Sequence, residues 1–139
     1  MDGGASLILG TGIDICDAAR LQDWLASPDP GLVASVFTPA EVAYCSGKRS
    51  PALHLAARYA AKEAVVKALS ASSAAGSFWL DIEIVNAPGG QPEVRLRGRA
   101  AEAAAGLGVS RVWVSLTHVE DTAVASVILE GGGDHAALT

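Results

Sequence analysis

Asp14 stands between two isoleucines, and Glu63 sits in a segment otherwise dominated by alanine and valine. A carboxylate in apolar surroundings is costly unless something neutralises it. One solution is a shared hard cation such as Mg2+, which prefers oxygen ligands and keeps waters for substrate phosphates. The plainer solution is structural: Glu63 pairs with Lys67 at i,i+4 on a solvated helix surface, and Asp14 caps the helix that begins after it. Lys67 and Arg58 read equally well as charges snorkelling from a helix. The run Ser115-Leu116-Thr117-His118 is a third candidate, although Ser and Thr suit a strand and a histidine at a turn is ordinary. Lys48, Arg49 and Arg58 can cradle phosphates or form a plain solvated surface. The residue types alone leave these alternatives open.

The elements that must position these groups follow from periodicity. Leu7 to Cys16 reads as a strand, with Ile8, Gly10, Gly12 and Asp14 on one face and Leu9, Thr11, Ile13 and Ile15 on the other. The glycines leave room for something to approach Asp14. A short helix is expected from Asp17 as N-cap through Leu21, Trp24 and Leu25. Asp29-Pro30 reads as a further cap, and Thr38-Pro39-Ala40-Glu41 as a capping box. Ser50-Pro51 opens a helix to about Leu69 that has no internal breaker. On it Ala52, Ala56, Ala60, Glu63 and Lys67 share a shallow stripe, while Arg58 and Lys62 fall beside His54. So many apolar positions round its circumference predict a largely buried helix.

Beyond a small-residue loop from Ser70 to Ser77, Phe78 to Ile84 alternates as a strand. Asn86-Ala87-Pro88-Gly89-Gly90 is a turn, and Glu93 to Arg97 completes a hairpin. A helix is expected from Arg99 to Leu107, stopped by Gly106 or Gly108. Val112 to His118 and Thr122 to Leu129 form a second hairpin through Val119-Glu120-Asp121. Helices between tightly joined strands predict an α+β fold, an antiparallel sheet packed on a long central helix.

A chain of 139 residues suits one domain. Half its residues are hydrophobic, enough for a buried core and against global disorder. A net charge of −5 disfavours nonspecific nucleic-acid binding, which needs excess Lys and Arg. No uninterrupted apolar run of roughly eighteen residues occurs, so no membrane span is expected. An acidic start, with Gly10-Thr11-Gly12 interrupting the apolar stretch after it, does not read as a secretory leader, and a cytoplasmic protein is expected. Cys16 and Cys45 lack metal-ligand spacing and read as small buried hydrophobes. Walker, G-x-G-x-x-G and nucleophile-elbow motifs do not occur.

Three stretches taken together resemble a known family. They are Gly12-Ile13-Asp14-Ile15 followed by Arg20; Phe37-Thr38 with Glu41 and Tyr44-Cys45; and Arg58-Tyr59-Ala60-Ala61-Lys62-Glu63-Ala64 with Lys67-Ala68. The family is holo-acyl-carrier-protein synthase, the small single-domain 4′-phosphopantetheinyl transferases. Asp81-Ile82-Glu83-Ile84, Gly90-Gln91-Pro92 and Ser115-Leu116-Thr117-His118 follow in the right order, so the likeness runs from about Leu7 to Glu130.

This resemblance implies a single domain over residues 1–130 with a flexible tail at 131–139, and a homotrimer with each active site between two subunits. The implied reaction moves the phosphopantetheine arm of coenzyme A onto a serine of apo-acyl carrier protein, releasing adenosine 3′,5′-bisphosphate. Asp14 and Glu63 would hold Mg2+, Asp14 from one chain and Glu63 from its neighbour. Glu63, directly or through a metal-bound water, would be the base, with Lys67 second. Arg58, His118, Lys48 and Arg49 would hold the 3′-phosphate. Gly89, Gly90, Pro92, Ser115 and Thr117 would line the nucleotide pocket. Arg20, with Leu21 and Trp24, would dock the carrier. Gln91 replaces the family's usual lysine, and Asp23 follows Arg20, which shifts docking toward apolar contacts. The readings from other classes are a noncatalytic nucleotide-binding trimer and a Mg2+-dependent phosphohydrolase.

Overall fold

The computed structural model describes residues 5–70 and 78–132. In chain order its elements are β1 (Ser6–Asp17), α1 (Ala18–Ala26), α2 (Gly31–Ala34), α3 (Pro39–Ser46), α4 (Pro51–Ala68), β2 (Ile82–Asn86), β3 (Pro92–Leu96), α5 (Gly98–Leu107), β4 (Val109–Val119) and β5 (Thr122–Gly132). β5 lies between β1 and β4 in an antiparallel three-stranded sheet, and β2 pairs with β3 in a separate antiparallel hairpin. The expected α+β class holds. Among the described residues no helix is long and apolar enough to cross a membrane.

Two glycines decide how β1 meets α4. A Cβ on Gly12 would stand 2.0 Å from the carbonyl oxygen of Ala64, and one on Gly10 would stand 2.1 Å from that of Ala68. No side chain fits there, so β1 lies backbone to backbone on the helix. The close approach falls on Ala64 and Ala68, not on the stripe of Ala52, Ala56 and Ala60 that spacing suggested. Cys16, Ala125, Val127 and Leu129 from the sheet join Leu55, Ala61 and Val65 of α4 in the buried core.

Period-two alternation gives the sheet two unlike faces. Val112, Val114 and Leu116 of β4 lean on the core, whereas Ser115 and Thr117 lie on the outer face with Ile13 and Ile15. Ile13 and Ile15 are 64% and 63% exposed, and Trp113 and Ile128 are exposed beside them.

Local signals were mostly realised. Thr38 caps α3 by accepting from the Glu41 N–H at 3.2 Å, while the Glu41 carboxylate accepts from the Thr38 N–H at 2.9 Å. Asp17 marks the start of α1 without a side-chain cap; its carboxylate accepts from the Thr122 hydroxyl at 2.7 Å. Gly108, at φ +83°, terminates α5, and Gly106 is inside the helix.

The second strand departs from expectation. Residues 78–81 form a 3₁₀ turn, and β2 begins only at Ile82. The backbone there is engaged otherwise: the Asp81 carbonyl accepts from the Arg97 N–H at 2.9 Å, and its carboxylate accepts from the Arg99 N–H at 3.0 Å. β4 and β5 are longer than expected and meet at a two-residue turn, with Glu120 at φ +53°. β5 runs on to Gly132, so Gly131 belongs to the sheet; the rest of the expected tail, and the loop beyond Ser70, lie outside the described residues.

Candidate functional site

The face of β1 that carries Gly10 and Gly12 also carries Asp14, which therefore points at α4. The Lys67 ammonium reaches across to it, donating to Asp14 Oδ1 at 2.8 Å and to the Ile13 carbonyl at 3.0 Å. Lys67 is 55% exposed and Asp14 17%. The Asp14 hydrogen bond holds the Lys67 ammonium above the usual lysine value, with the Asp14 and Glu63 charges adding to it against a desolvation penalty. Glu63 is one helical turn before Lys67. The two carboxylates that lie 49 positions apart in sequence thus share one neighbourhood within a single chain. The glycine contact between β1 and α4 places both near Lys67 in one chain, where the resemblance had Asp14 and Glu63 on neighbouring protomers.

The thiol of Cys16 feels both carboxylates, but burial dominates and pushes it up to about 11. Two carboxylates beside one half-exposed ammonium suit Mg2+, which binds through one or two carboxylates and completes its shell with water and substrate phosphate. Among the described residues no group of three or more His, Cys, Asp or Glu forms an all-protein cage. Burial pushes the Tyr59 phenol up to about 12, reinforced by the Glu63 charge one turn on.

A second cluster lies along α4 from this centre. The buried Arg58 donates through Nη2 to Asn86 Oδ1, and Asn86 Nδ2 donates to the Gly90 carbonyl at 2.8 Å. The turn that sequence marked as a pocket wall is thereby tied to the arginine expected to hold phosphate. Gly90, at φ +96°, supplies the left-handed conformation the turn requires. Lys48 and Arg58 both sit over the ring of Tyr44. Burial lowers the proton affinity of His54, and Coulombic coupling to Arg58, Lys48 and His118 lowers it further. Arg49 lines a cavity of about 360 Å³ with Gln22, Leu25 and Asp121.

Other expected residues fall elsewhere. Ser115 and Thr117 are on the outer sheet face, turned from the core that α4 occupies. Leu21 is completely buried, so it holds α1 to the core and cannot meet a partner. Arg20 lies exposed over the Tyr59 ring at 5.2 Å, and Trp24 packs edge-on against that ring at 5.3 Å. A cavity of about 770 Å³ between Val33, Phe37, Ala40, Leu80 and Arg97 contains none of Asp14, Glu63 and Lys67.

Sequence reasoning missed one buried ion pair. The Lys62 ammonium, fully buried, donates to Glu41 Oε1 at 2.8 Å and to the carbonyls of Trp79 and Ile82 at 2.7 and 2.6 Å. The other Glu41 oxygen accepts from the Ile84 N–H at 2.8 Å. Every donor on Lys62 is satisfied, and α3, α4 and the start of β2 are joined at one point. Burial lowers the Lys62 proton affinity, with Glu41 opposing. Tyr44 entered only through the resemblance and Asn86 only as a turn residue, and neither was expected at the site.

The family model of the 4′-phosphopantetheinyl transferase superfamily matches residues 10–127. The chain is 49% identical over 130 residues to the holo-[acyl-carrier-protein] synthase of Anaeromyxobacter dehalogenans, covering 91% of this chain and 99% of that one. Among solved structures, the acyl carrier protein synthase of Mycobacterium tuberculosis is 39% identical with a TM-score of 0.69, covering 90% of this chain and 99% of that one. The Chronobacterium ammoniagenes synthase in complex with coenzyme A is 27% identical with a TM-score of 0.72, covering 91% and 97%.

Proposed function

This chain belongs to the 4′-phosphopantetheinyl transferase superfamily, and from that premise we propose that it is a holo-[acyl-carrier-protein] synthase. It transfers the 4′-phosphopantetheine group of coenzyme A to a serine of apo-acyl carrier protein and releases adenosine 3′,5′-bisphosphate. The observation that carries the reading is Asp14 of β1 bridged to Lys67 of α4, with Glu63 one turn away.

Asp14 and Glu63 would hold Mg2+, which when bound supplies positive charge beside the diphosphate of coenzyme A. Lys67, half-exposed on a flexible stem, turns from Asp14 toward the diphosphate oxygens and stabilises the charge that builds there as the phosphoanhydride breaks. Glu63 takes the proton of the carrier serine as its hydroxyl oxygen attacks the β-phosphorus. Arg58, Lys48 and His118 bind the 3′-phosphate, with Arg49 at the margin, and Gly89, Gly90 and Pro92 form the wall that Asn86 ties to Arg58. Arg20 and Trp24 dock the acidic carrier.

Ser115 and Thr117 face away from α4, so they line a nucleotide pocket only if that pocket is completed by another copy of the chain. The exposed Ile13, Ile15, Trp113 and Ile128 on the same face suit burial between copies, in keeping with a homotrimer. The described residues, through Gly132 at the end of β5, act as one domain in the cytoplasm.

The test is mass spectrometry of an apo-acyl carrier protein incubated with coenzyme A, Mg2+ and this protein. The carrier should gain the mass of one phosphopantetheine arm, and Asp14→Asn or Glu63→Gln should abolish the gain. An unmodified carrier sinks the reading, and release of the bisphosphate without any carrier points to hydrolysis instead.

A further inference from the structure

Cations in folded proteins are commonly held by carboxylates, which cancel much of the charge they hold. The cluster at Tyr44 is held differently. Lys48 Nζ stands 4.4 Å and the Arg58 guanidinium carbon 4.3 Å from the centroid of the same ring, and the His54 ring meets it edge-on at 6.4 Å. Among the described residues none of Lys48, His54 and Arg58 makes an ion pair. Arg58 is 3% exposed, its side-chain hydrogen bond goes to the neutral amide of Asn86, and its buried Nε has no partner.

A ring quadrupole attracts a cation without carrying a compensating net charge. Tyr44 therefore gathers two cations and leaves their field intact. Arg58 and Tyr44 line a cavity of about 300 Å³ with Ile84, Val85 and Asn86, and Lys48 stands over the ring that walls it. Burial lowers the proton affinity of His54, and the neighbouring Arg58 and Lys48 charges lower it further.

We infer that Tyr44 is a positioning residue that sets donor specificity: by holding Lys48 and Arg58 on one ring it makes the protein prefer coenzyme A over 3′-dephospho-coenzyme A. The inference rests on the transferase reading. Tyr44 acts through the two cations, and the group they recognise is the dianionic 3′-phosphate, which the dephospho donor lacks.

The experiment measures kcat and KM for both donors with the native protein, Tyr44→Phe, Tyr44→Leu and Lys48→Ala, each first checked for its native thermal midpoint. Tyr44→Phe keeps the ring and should keep the native preference. Tyr44→Leu should raise KM for coenzyme A about tenfold, leaving kcat and the KM for the dephospho donor unchanged. Lys48→Ala should move the same ratio in the same direction by a smaller factor. An unaltered ratio of the two KM values in Tyr44→Leu overturns the inference. If that variant does not fold, an unaltered ratio in Lys48→Ala overturns it.

Calorimetric titration with adenosine 3′,5′-bisphosphate and with adenosine 5′-monophosphate separates this inference from the transferase reading. A native protein that transfers nothing yet prefers the bisphosphate, and loses that preference in Tyr44→Leu, sinks the reading while the inference stands. Transfer without any such preference does the reverse.

Discussion

Helix α4 carries two lysine–carboxylate pairs five residues apart, and they are opposites. Lys62 and Glu41 are both buried, with every donor of the ammonium met and both carboxylate oxygens accepting backbone N–H groups as well. Lys67 and Asp14 meet at the same 2.8 Å, but Lys67 is half-exposed and Asp14 has no other side-chain partner among the described residues. Distance does not separate the two pairs; solvent and the number of supporting partners do. A buried, over-determined pair fixes structure, because a partner lost leaves a charge stranded in low dielectric. An exposed pair with one supporting contact contributes little to stability, and its members stay available for another charge.

The contrast breaks most sharply at Lys62. Lys62→Met should lower unfolding free energy by about 3–5 kcal/mol in a urea titration, since Glu41 is then left buried without its counter-charge. Adding Glu41→Gln should recover part of that loss, and a double variant no better than the single one would show that the stranded charge is not the cause. Gly12→Ala attacks the junction that brings Asp14 to α4, and overpacking there should cost about 1–3 kcal/mol by the same titration. Lys67→Met sharpens the comparison from the other side. It should change stability by less than about 1 kcal/mol while slowing transfer by about a hundredfold. A Lys67 variant that unfolds like the Lys62 one would erase the distinction.

The smallest effect belongs to His54. Its folded proton affinity is below the ordinary value of 6.5, so the unfolded chain binds more protons as pH falls through that value. Stability contributed by the neutral imidazole is therefore present above pH 6.5 and declines as pH drops below it. Thermal midpoints between pH 5 and 7 should slope less in His54→Gln than in the native protein.

These contrasts mark what was readable in the chain. Thr38 and Glu41 form a capping box three residues apart, and α4 announces itself through alanine and Pro51; both are local, and both stand in the structure. Asp14, Glu63 and Lys67 were legible as costly charges in apolar segments. Lys62 was not. It read as one more basic residue beside Arg58 and His54, and only the arrival of carbonyls from residues 79 and 82 makes it a core residue. The same tertiary contact explains why Phe78-Trp79-Leu80-Asp81 alternates like a strand yet turns as 3₁₀: lysine, arginine and helix N-terminus claim its backbone and carboxylate first. The docking role expected of Leu21 failed for a related reason, since spacing marks an apolar face but not which side of it the core will occupy.

The outer face of the three-stranded sheet carries one more implication. Ser115 and Thr117 stand there among isoleucines, oriented away from the carboxylates of their own chain. If the proposed homotrimer completes the site, dilution should disarm the enzyme without melting it: specific activity falls while circular dichroism stays native. Potency would then track protomer concentration, a quantity that no side chain in an isolated molecule encodes.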